Sequence, residues 1–265
     1  MGQVRVAGID GRIVAPEEAT ISVTDDGLLR GDGGFEFIKL YDGHPFRFDD
    51  HLARLGRSTA AIDLGFDEDA LREDIDTALE AFGGGDGGLR LVVTRGGRRI
   101  VLIEELPEWP PSARIALITL SPSEILGGVK SISYAANMQA TRMAKARGAD
   151  EAVFVRRDGV VLEAPTSSIF WVSADGELRT PALDAGILDS ITRQVVLDGL
   201  DANEGEFDTR DLEGAREAFL ASTTREIQPV SAVDGTELAE PDGGEASAAA
   251  ARALAAAVEA ERAAV

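Results

Sequence analysis

A chain of 265 residues with 44% apolar composition carries enough hydrophobic mass for one large or two modest domains with real cores. Its formal net charge of −21 argues against partners that present phosphate backbones or anionic lipid surfaces, so neither nucleic acid nor a membrane is expected. The absence of cysteine excludes disulfides and a thiol nucleophile, and two histidines, His44 and His51, leave no zinc constellation.

The first residues, MGQVRVAGIDGRIV, lack a charged-then-apolar leader, and no later run approaches the roughly 18 apolar residues of a membrane span, so a cytoplasmic protein is expected. These residues read as a hairpin turning at Asp10-Gly11. Further on, Gly31, Gly33 and Gly34 permit a close backbone approach before a strand that runs Phe35, Glu36, Phe37, Ile38, Lys39. A helix follows, with Asp49 or Asp50 as its cap and a buried face at positions 52, 55, 59 and 62. Arg54 falls off that stripe, where an arginine is ordinarily solvated. A second helix over 68–82 ends in the glycine-rich run 83–88, which lacks the Lys-Ser/Thr of a phosphate loop and reads as a flexible connection.

Strands are expected over 89–94 and 100–103, joined by Arg95-Gly96-Gly97-Arg98-Arg99, and a further strand over 113–120 follows Pro107, Pro110 and Pro111. The boundary between domains is expected at 120–127, around Ser121-Pro122-Ser123. This gives a small N-terminal domain over 1–119, a linker over 120–127 and a C-terminal domain over 128–265.

Lysine usage singles out the next stretch. The chain has 23 arginines and only three lysines, Lys39, Lys130 and Lys145. Arginine serves wherever positive charge alone is needed, but only lysine can shed its proton and act as a neutral amine nucleophile. Lys145 lies in an Ala- and Arg-rich helical run and reads as a solvated face residue. Lys130 follows Gly127-Gly128 at the entrance of a helix that Ser133 can cap and that runs to about Arg147, with Gly148 as its stop. A hairpin then turns at Asp158-Gly159 between strands over 152–155 and 159–164. Its second strand carries Glu163 in an otherwise apolar run, read either as a solvent-facing strand residue or as a carboxylate with a task.

The segment Gly186-Ile187-Leu188-Asp189-Ser190-Ile191-Thr192-Arg193 leads into a helix, whose unpaired first N–H groups make a natural phosphate seat. A strand from Phe219 enters the hydroxyl-rich turn Ser222-Thr223-Thr224, and an Ala-rich helix closes the chain from Glu245.

These stretches, in this order, resemble the fold-type IV pyridoxal-phosphate enzymes, which include branched-chain and D-amino-acid aminotransferases, R-selective amine transaminases and aminodeoxychorismate lyases. The resemblance covers nearly the whole chain and rests on 22–36, 51–55, 130–172, 186–193 and 222–230. It implies an α/β (α+β) fold of two domains with pyridoxal 5′-phosphate between them, a homodimer, and a transaminase working on an amino donor and a keto-acid acceptor. By the same resemblance Lys130 forms the Schiff base, Glu163 faces the pyridine nitrogen and Tyr134 bonds the phenolic oxygen. Arg54, the backbone of Ile191 and Thr192, and Thr223 bind the phosphate. Phe35 and Phe37 become wall candidates for the substrate, although ordinary core aromatics remain an equal reading, and a buried structural tyrosine is the lesser reading of Tyr134. Arg98 or Arg99, more narrowly Arg98, and the backbone N–H of Thr224 are candidates for the substrate carboxylate.

Two departures stand out: Ser190 replaces the more usual glycine, and the loop over 95–99 is shorter than in D-amino-acid aminotransferases. The aminodeoxychorismate lyase is the alternative activity. It is less favoured because Phe35-Glu36-Phe37 stands where lyases tend to carry threonines, and a non-catalytic cofactor-binding protein is disfavoured by the presence of both Lys130 and Glu163.

Overall fold

The computed structural model describes residues 2–264. They cluster into two compact units, one formed by the chain up to Glu108 together with Val129–Tyr134, the other by Trp109–Gly128 together with the chain from Ala135 onward.

In the first unit, β1 (Val4–Ile9) and β2 (Arg12–Val14) form the hairpin expected at Asp10-Gly11. Both turn residues take positive φ, 49° and 80°, the geometry that a two-residue Asp-Gly loop supplies. A short α1 (Asp26–Arg30) is capped by Asp25, whose carboxylate accepts from the Gly27 N–H at 2.7 Å. Then come β3 (Gly33–Tyr41), β4 (His44–Pro45), α2 (Phe48–Ala60), α3 (Glu68–Phe82), β5 (Gly87–Thr94) and β6 (Arg99–Glu104). The strands order as β2-β1-β6-β5-β3-β4, every pair antiparallel.

Both longer helices pack on one face of this sheet, where Leu52, Leu55, Leu71 and Ile75 meet Ile38, Leu40, Leu89 and Ile103. Strand alternation therefore puts Glu36 on the helix-covered face with Ile38 and Leu40, and Phe35 and Phe37 on the opposite one. The start of α2 differs from expectation. Its N-cap is Arg47, in the left-handed region at φ 54°, while Asp49 and Asp50 lie inside the first turn, where carboxylates favourably meet the positive end of the helix dipole.

The second unit is built on β7 (Ala113–Thr119), α4 (Ala135–Ala146), β8 (Glu151–Val155), β9 (Ser168–Val172), β10 (Leu178–Pro181), α5 (Ile191–Gly199), β11 (Asn203–Gly205), α6 (Thr209–Glu213), β12 (Glu217–Ser222), β13 (Glu226–Val233), β14 (Thr236–Glu237) and α7 (Glu245–Arg262). Its sheet orders as β11-β10-β9-β12-β13-β7-β8, with β14 paired to β13. β7 lies parallel to both β13 and β8. That pairing explains why the chain joins this unit already at Trp109, ahead of the 120–127 crossing expected from sequence, while Val129–Tyr134 clusters with the first unit through its backbone bonds to Gly33 and Phe35.

Of the expected hairpin over 152–164, β8 forms a strand. The return segment keeps the pairing through three backbone bonds, Phe154 N–H to the Glu163 carbonyl, Leu162 N–H to the Phe154 carbonyl and Arg156 N–H to the Val160 carbonyl, each at 2.8 Å. α4 begins at Ala135, two residues past Ser133, whose hydroxyl donates instead to the Gly31 carbonyl at 2.9 Å within the first unit. α7 has no capping side chain of its own. Glu217, buried on β12, accepts from the N–H groups of Gly244, Ala246 and Ser247 at 2.7–3.2 Å and from the Ser247 hydroxyl. Among the described residues no helix is long and apolar enough to cross a membrane.

Candidate active site

In the first unit the chemistry gathers around Lys130. Residues 130–132 run beside the start of β3: Phe35 N–H donates to the Lys130 carbonyl and Ile132 N–H to the Gly33 carbonyl, both at 3.0 Å. From the other side, the Lys130 N–H donates to Ser58 Oγ on α2 at 3.1 Å. Both backbone groups of the lysine are thus spent on rigid elements. Nζ stands 4.5 Å from the centroid of the Phe35 ring, and the Tyr134 ring meets that ring edge-on at 5.3 Å. A cation over an aromatic face and a T-shaped aromatic pair are both favourable arrangements, so Phe35 joins the two residues that the sequence assigned to the cofactor. Phe37, two residues along the same face, lies under the guanidinium of Arg90 at 4.7 Å. Lys39 is directed at the Tyr41 ring, 4.6 Å from its centroid.

Arg54 is one turn of α2 before Ser58 and, contrary to the solvated fate of a polar-face arginine, is buried. Its Nε and Nη2 donate to the two carboxylate oxygens of Glu36 at 2.8 and 2.7 Å, and His51 donates from Nδ1 to Glu36 at 2.7 Å. Glu36 has no solvent exposure. Burial alone would raise its pKa, but the hydrogen bonds and charge of Arg54, then those of His51, hold it at about 2. Burial lowers the pKa of His51, the nearby charges of Arg54 and Lys130 add to that, and Glu36 only partly opposes them. The imidazole is therefore neutral near pH 7, with its proton on Nδ1. Glu36 and His51 were not among the sequence candidates. The available signal was the His51/Arg54 spacing of three on one helix, with a glutamate between two phenylalanines on the preceding strand.

The loop over 95–99 takes both of its candidate arginines into ion pairs. Arg98 Nη1 donates to Asp10 at 2.5 Å and Arg99 Nε to Asp74 at 2.8 Å. They point to different acids, as expected of neighbours on an extended segment.

In the second unit, register brings the other candidates to one end of the sheet. β9 begins where β12 ends, with Ser168 opposite Ala221, so the turn after Glu163 and the turn through Thr223 and Thr224 share that end. Glu163 Oε1 accepts the Leu188 N–H at 3.1 Å, which ties the segment leading to α5 to the same carboxylate. α5 starts at Ile191, capped by Ser190, whose Oγ accepts the Arg193 N–H at 3.3 Å. Ser190 sits at φ −80°, a conformation that asks nothing of glycine, so the departure at this position adds a cap and leaves the first-turn donors in place. The N–H groups of Ile191 and Thr192, the first two of the helix, have no acceptor within it. Thr223 and Thr224 are half-buried in the turn between β12 and β13.

Within the second unit, a half-buried carboxylate that holds the Leu188 N–H and a capped helix start with open first-turn donors fit the ring nitrogen and the phosphate of pyridoxal phosphate; within the first, Lys130 offers an amine on an anchored backbone. Among the described residues no group of three or more His, Cys, Asp or Glu could hold a metal ion.

Comparison with known proteins leads to the same place. Residues 33–233 match the family of class IV amino-transferases. The chain is 32% identical to the D-alanine aminotransferase of Listeria innocua serovar 6a over 258 residues, covering 88% of this chain and 89% of that protein. It is 29% identical to the aminodeoxychorismate lyase of Bacillus subtilis, covering 85% and 86% of the two chains. The crystal structure of the branched-chain aminotransferase from the thermophilic archaeon Thermoproteus uzoniensis with norvaline superposes with a TM-score of 0.87 at 27% identity, over 97% of this chain and 95% of that one. With this fold and this set of side chains, the chain belongs to the class IV aminotransferases, enzymes of fold type IV that work with pyridoxal 5′-phosphate.

Proposed function

We propose that the chain transfers an amino group between an amino acid or amine and a 2-keto acid, with Lys130 as the residue to which the cofactor attaches. The observation that carries this reading is the anchoring of the Lys130 backbone on β3 and α2. A residue that must both hold a cofactor and then move a proton at the substrate carbon needs a fixed backbone from which its amine can reach both. When bound, pyridoxal phosphate supplies an electron sink for negative charge developing at that carbon.

The remaining groups divide the work of binding. Glu163 holds a proton at the pyridine nitrogen, and Tyr134 bonds the phenolic oxygen. The N–H groups of Ile191 and Thr192, the hydroxyl of Thr223 and the guanidinium of Arg54 receive the phosphate. Phe35 and Phe37 shape the substrate wall. For the substrate carboxylate, Arg98 and Arg99 are engaged by Asp10 and Asp74, which favours the backbone N–H of Thr224 over Arg98 as the partner. A cytoplasmic homodimer belongs to the same proposal, checked by cell fractionation and by the mass of the purified protein in solution.

A second reading, aminodeoxychorismate lyase, is favoured by the Bacillus subtilis relative. Half-reaction spectra with a panel of donors separate the two. A transaminase bleaches its cofactor band with an amino donor and recovers it with a 2-keto acid, whereas a lyase releases pyruvate with no keto acceptor present. Neither response from the cofactor-loaded protein would sink both readings.

A further inference from the structure

The hairpin from β12 to β13 pairs Ser222 with Glu226, which leaves Thr223-Thr224-Arg225 as its loop. Ser222 Oγ accepts the Arg225 N–H at 3.3 Å, and Glu226 takes φ 55°. A left-handed residue in this place is the usual way to close a three-residue hairpin loop, but glycine is the residue that does so without cost. A glutamate there persists only where its surroundings hold the conformation.

Those surroundings are organised by Arg225. Its side chain is 2% exposed, and its Nη2 donates to Glu151 Oε2 at 2.6 Å while Nη1 donates to Gln228 Oε1. The guanidinium carbon lies 3.6 Å from the centroid of the Trp109 ring. Each partner is tied in turn. Glu151 accepts from the Thr141 hydroxyl on α4 at 2.9 Å and from the Ala152 N–H at 3.0 Å, and Gln228 Nε2 donates to the Pro110 carbonyl at 2.7 Å. The segment at 109–110, α4, the start of β8 and the start of β13 therefore converge on one guanidinium, all within the second unit. Arg225 Nε finds no partner among the described residues. A buried ion pair with an unfilled donor is a poor source of stability compared with apolar side chains of similar volume. What it does supply is geometry, because a planar fork fixes the direction of each of its contacts.

We propose that Arg225 is a positioning residue for the Thr223-Thr224 turn. Its guanidinium hydrogen-bonds to neither threonine. By fixing the residue that follows them to Glu151, Gln228 and Trp109, it sets the direction in which the Thr223 hydroxyl meets the cofactor phosphate and the Thr224 N–H meets the substrate carboxylate. The inference rests on the roles proposed above for these two threonines.

The test compares R225M/E151Q with T223V and with the triple variant T223V/R225M/E151Q, measuring thermal unfolding, the dissociation constant of pyridoxal phosphate and the kcat/KM split with an amino-acid donor. The glutamine keeps an acceptor for Thr141 and Ala152 and leaves no unpaired buried charge. R225M/E151Q is expected to melt near the wild type, yet to bind the cofactor about tenfold more weakly, the scale of one lost contact, with KM raised more than kcat is lowered. T223V should lose a similar factor, and the triple variant little more than either. Wild-type cofactor affinity in R225M/E151Q beside a weakened T223V would overturn the role of Arg225 alone. Unchanged affinity in T223V would overturn the assignment of Thr223 and the positioning role with it. Losses that multiply in full in the triple variant would show that the two act separately and also overturn it. If R225M/E151Q does not fold, R225K, which keeps the charge and lacks the fork, gives the same comparison.

Discussion

Arg54 spends one edge of its guanidinium on both oxygens of Glu36, and His51 donates to the same carboxylate. A buried carboxylate left without its arginine costs about 3–5 kcal/mol. Arg54→Ala is therefore expected to lower the urea or thermal midpoint sharply, which would obscure any direct effect on the cofactor. In Glu36→Gln/Arg54→Met no buried charge remains, so most of the stability should return. Cofactor affinity in that variant should stay down by roughly tenfold to a hundredfold, the worth of a charge-assisted phosphate contact. Wild-type affinity on dialysis would make Arg54 a purely structural residue.

The same cluster contributes two steps to the acid unfolding of the chain. His51 has a pKa lowered from 6.5, so the unfolded chain takes up its proton first, and stability should begin to fall as pH drops below that value. Glu36, lowered from 4.5 to about 2, stabilises the fold fully above 4.5, and that contribution is lost as pH falls through about 2. Unfolding midpoints measured across this range should show two declines. His51→Asn should remove the first, and Glu36→Gln should shrink the second, to which the lowered carboxyls of Asp10 and Asp150 also contribute. A midpoint independent of pH down to 4 would refute the buried, neutral imidazole.

Lys130→Ala should keep its fold, because both backbone bonds at the position survive the substitution. It should also lose the covalent link. Borohydride treatment of the loaded wild type is expected to fix cofactor to the protein irreversibly, and mass spectrometry of the variant should show none. Cofactor fixed to the variant would move the attachment to Lys39 or Lys145.

Glu163→Gln can still accept the Leu188 N–H but carries no charge. Amino-group transfer should fall by on the order of a hundredfold or more, comparable to losing one contact that stabilises developing charge, while cofactor retention changes little. Equal losses in transfer and retention would reduce Glu163 to a binding residue.

Arg98 and Arg99 are each committed to an acid. Their replacement by alanine should keep the ratio of amino-acid to amine turnover within about threefold, the scale of an exposed ion pair. A selective loss of amino-acid turnover in Arg98→Ala would return the carboxylate to that arginine.

Local chemistry was legible in the sequence wherever the signal was local. Asp10-Gly11, the Gly83 stop of α3, and the glycines at the start of β3 all act on neighbouring residues, and the structure places them accordingly. Lys130 and Glu163 were visible because arginine replaces lysine almost everywhere else and because a charge interrupts an apolar run. Three other features depend on partners far along the chain. The cap of α2 went to Arg47 because acids serve the first helical turn as well as they serve a cap. β7 joined the second sheet through pairing with β13, more than 110 residues on. Arg54 turned inward because strand alternation put Glu36 beneath it, a match that no window over α2 alone contains.

Glu217 gives α7 its start from another strand. First-turn amides of a helix ordinarily exchange with solvent deuterium almost as freely as those of a loop, since nothing within the helix protects them. Here Gly244, Ala246 and Ser247 donate to one carboxylate on a fully buried strand, so their exchange is tied to the opening of β12. Deuterium uptake at these three amides thus reports on the strand that leads into the Thr223-Thr224 turn, from a part of the chain some twenty residues beyond it.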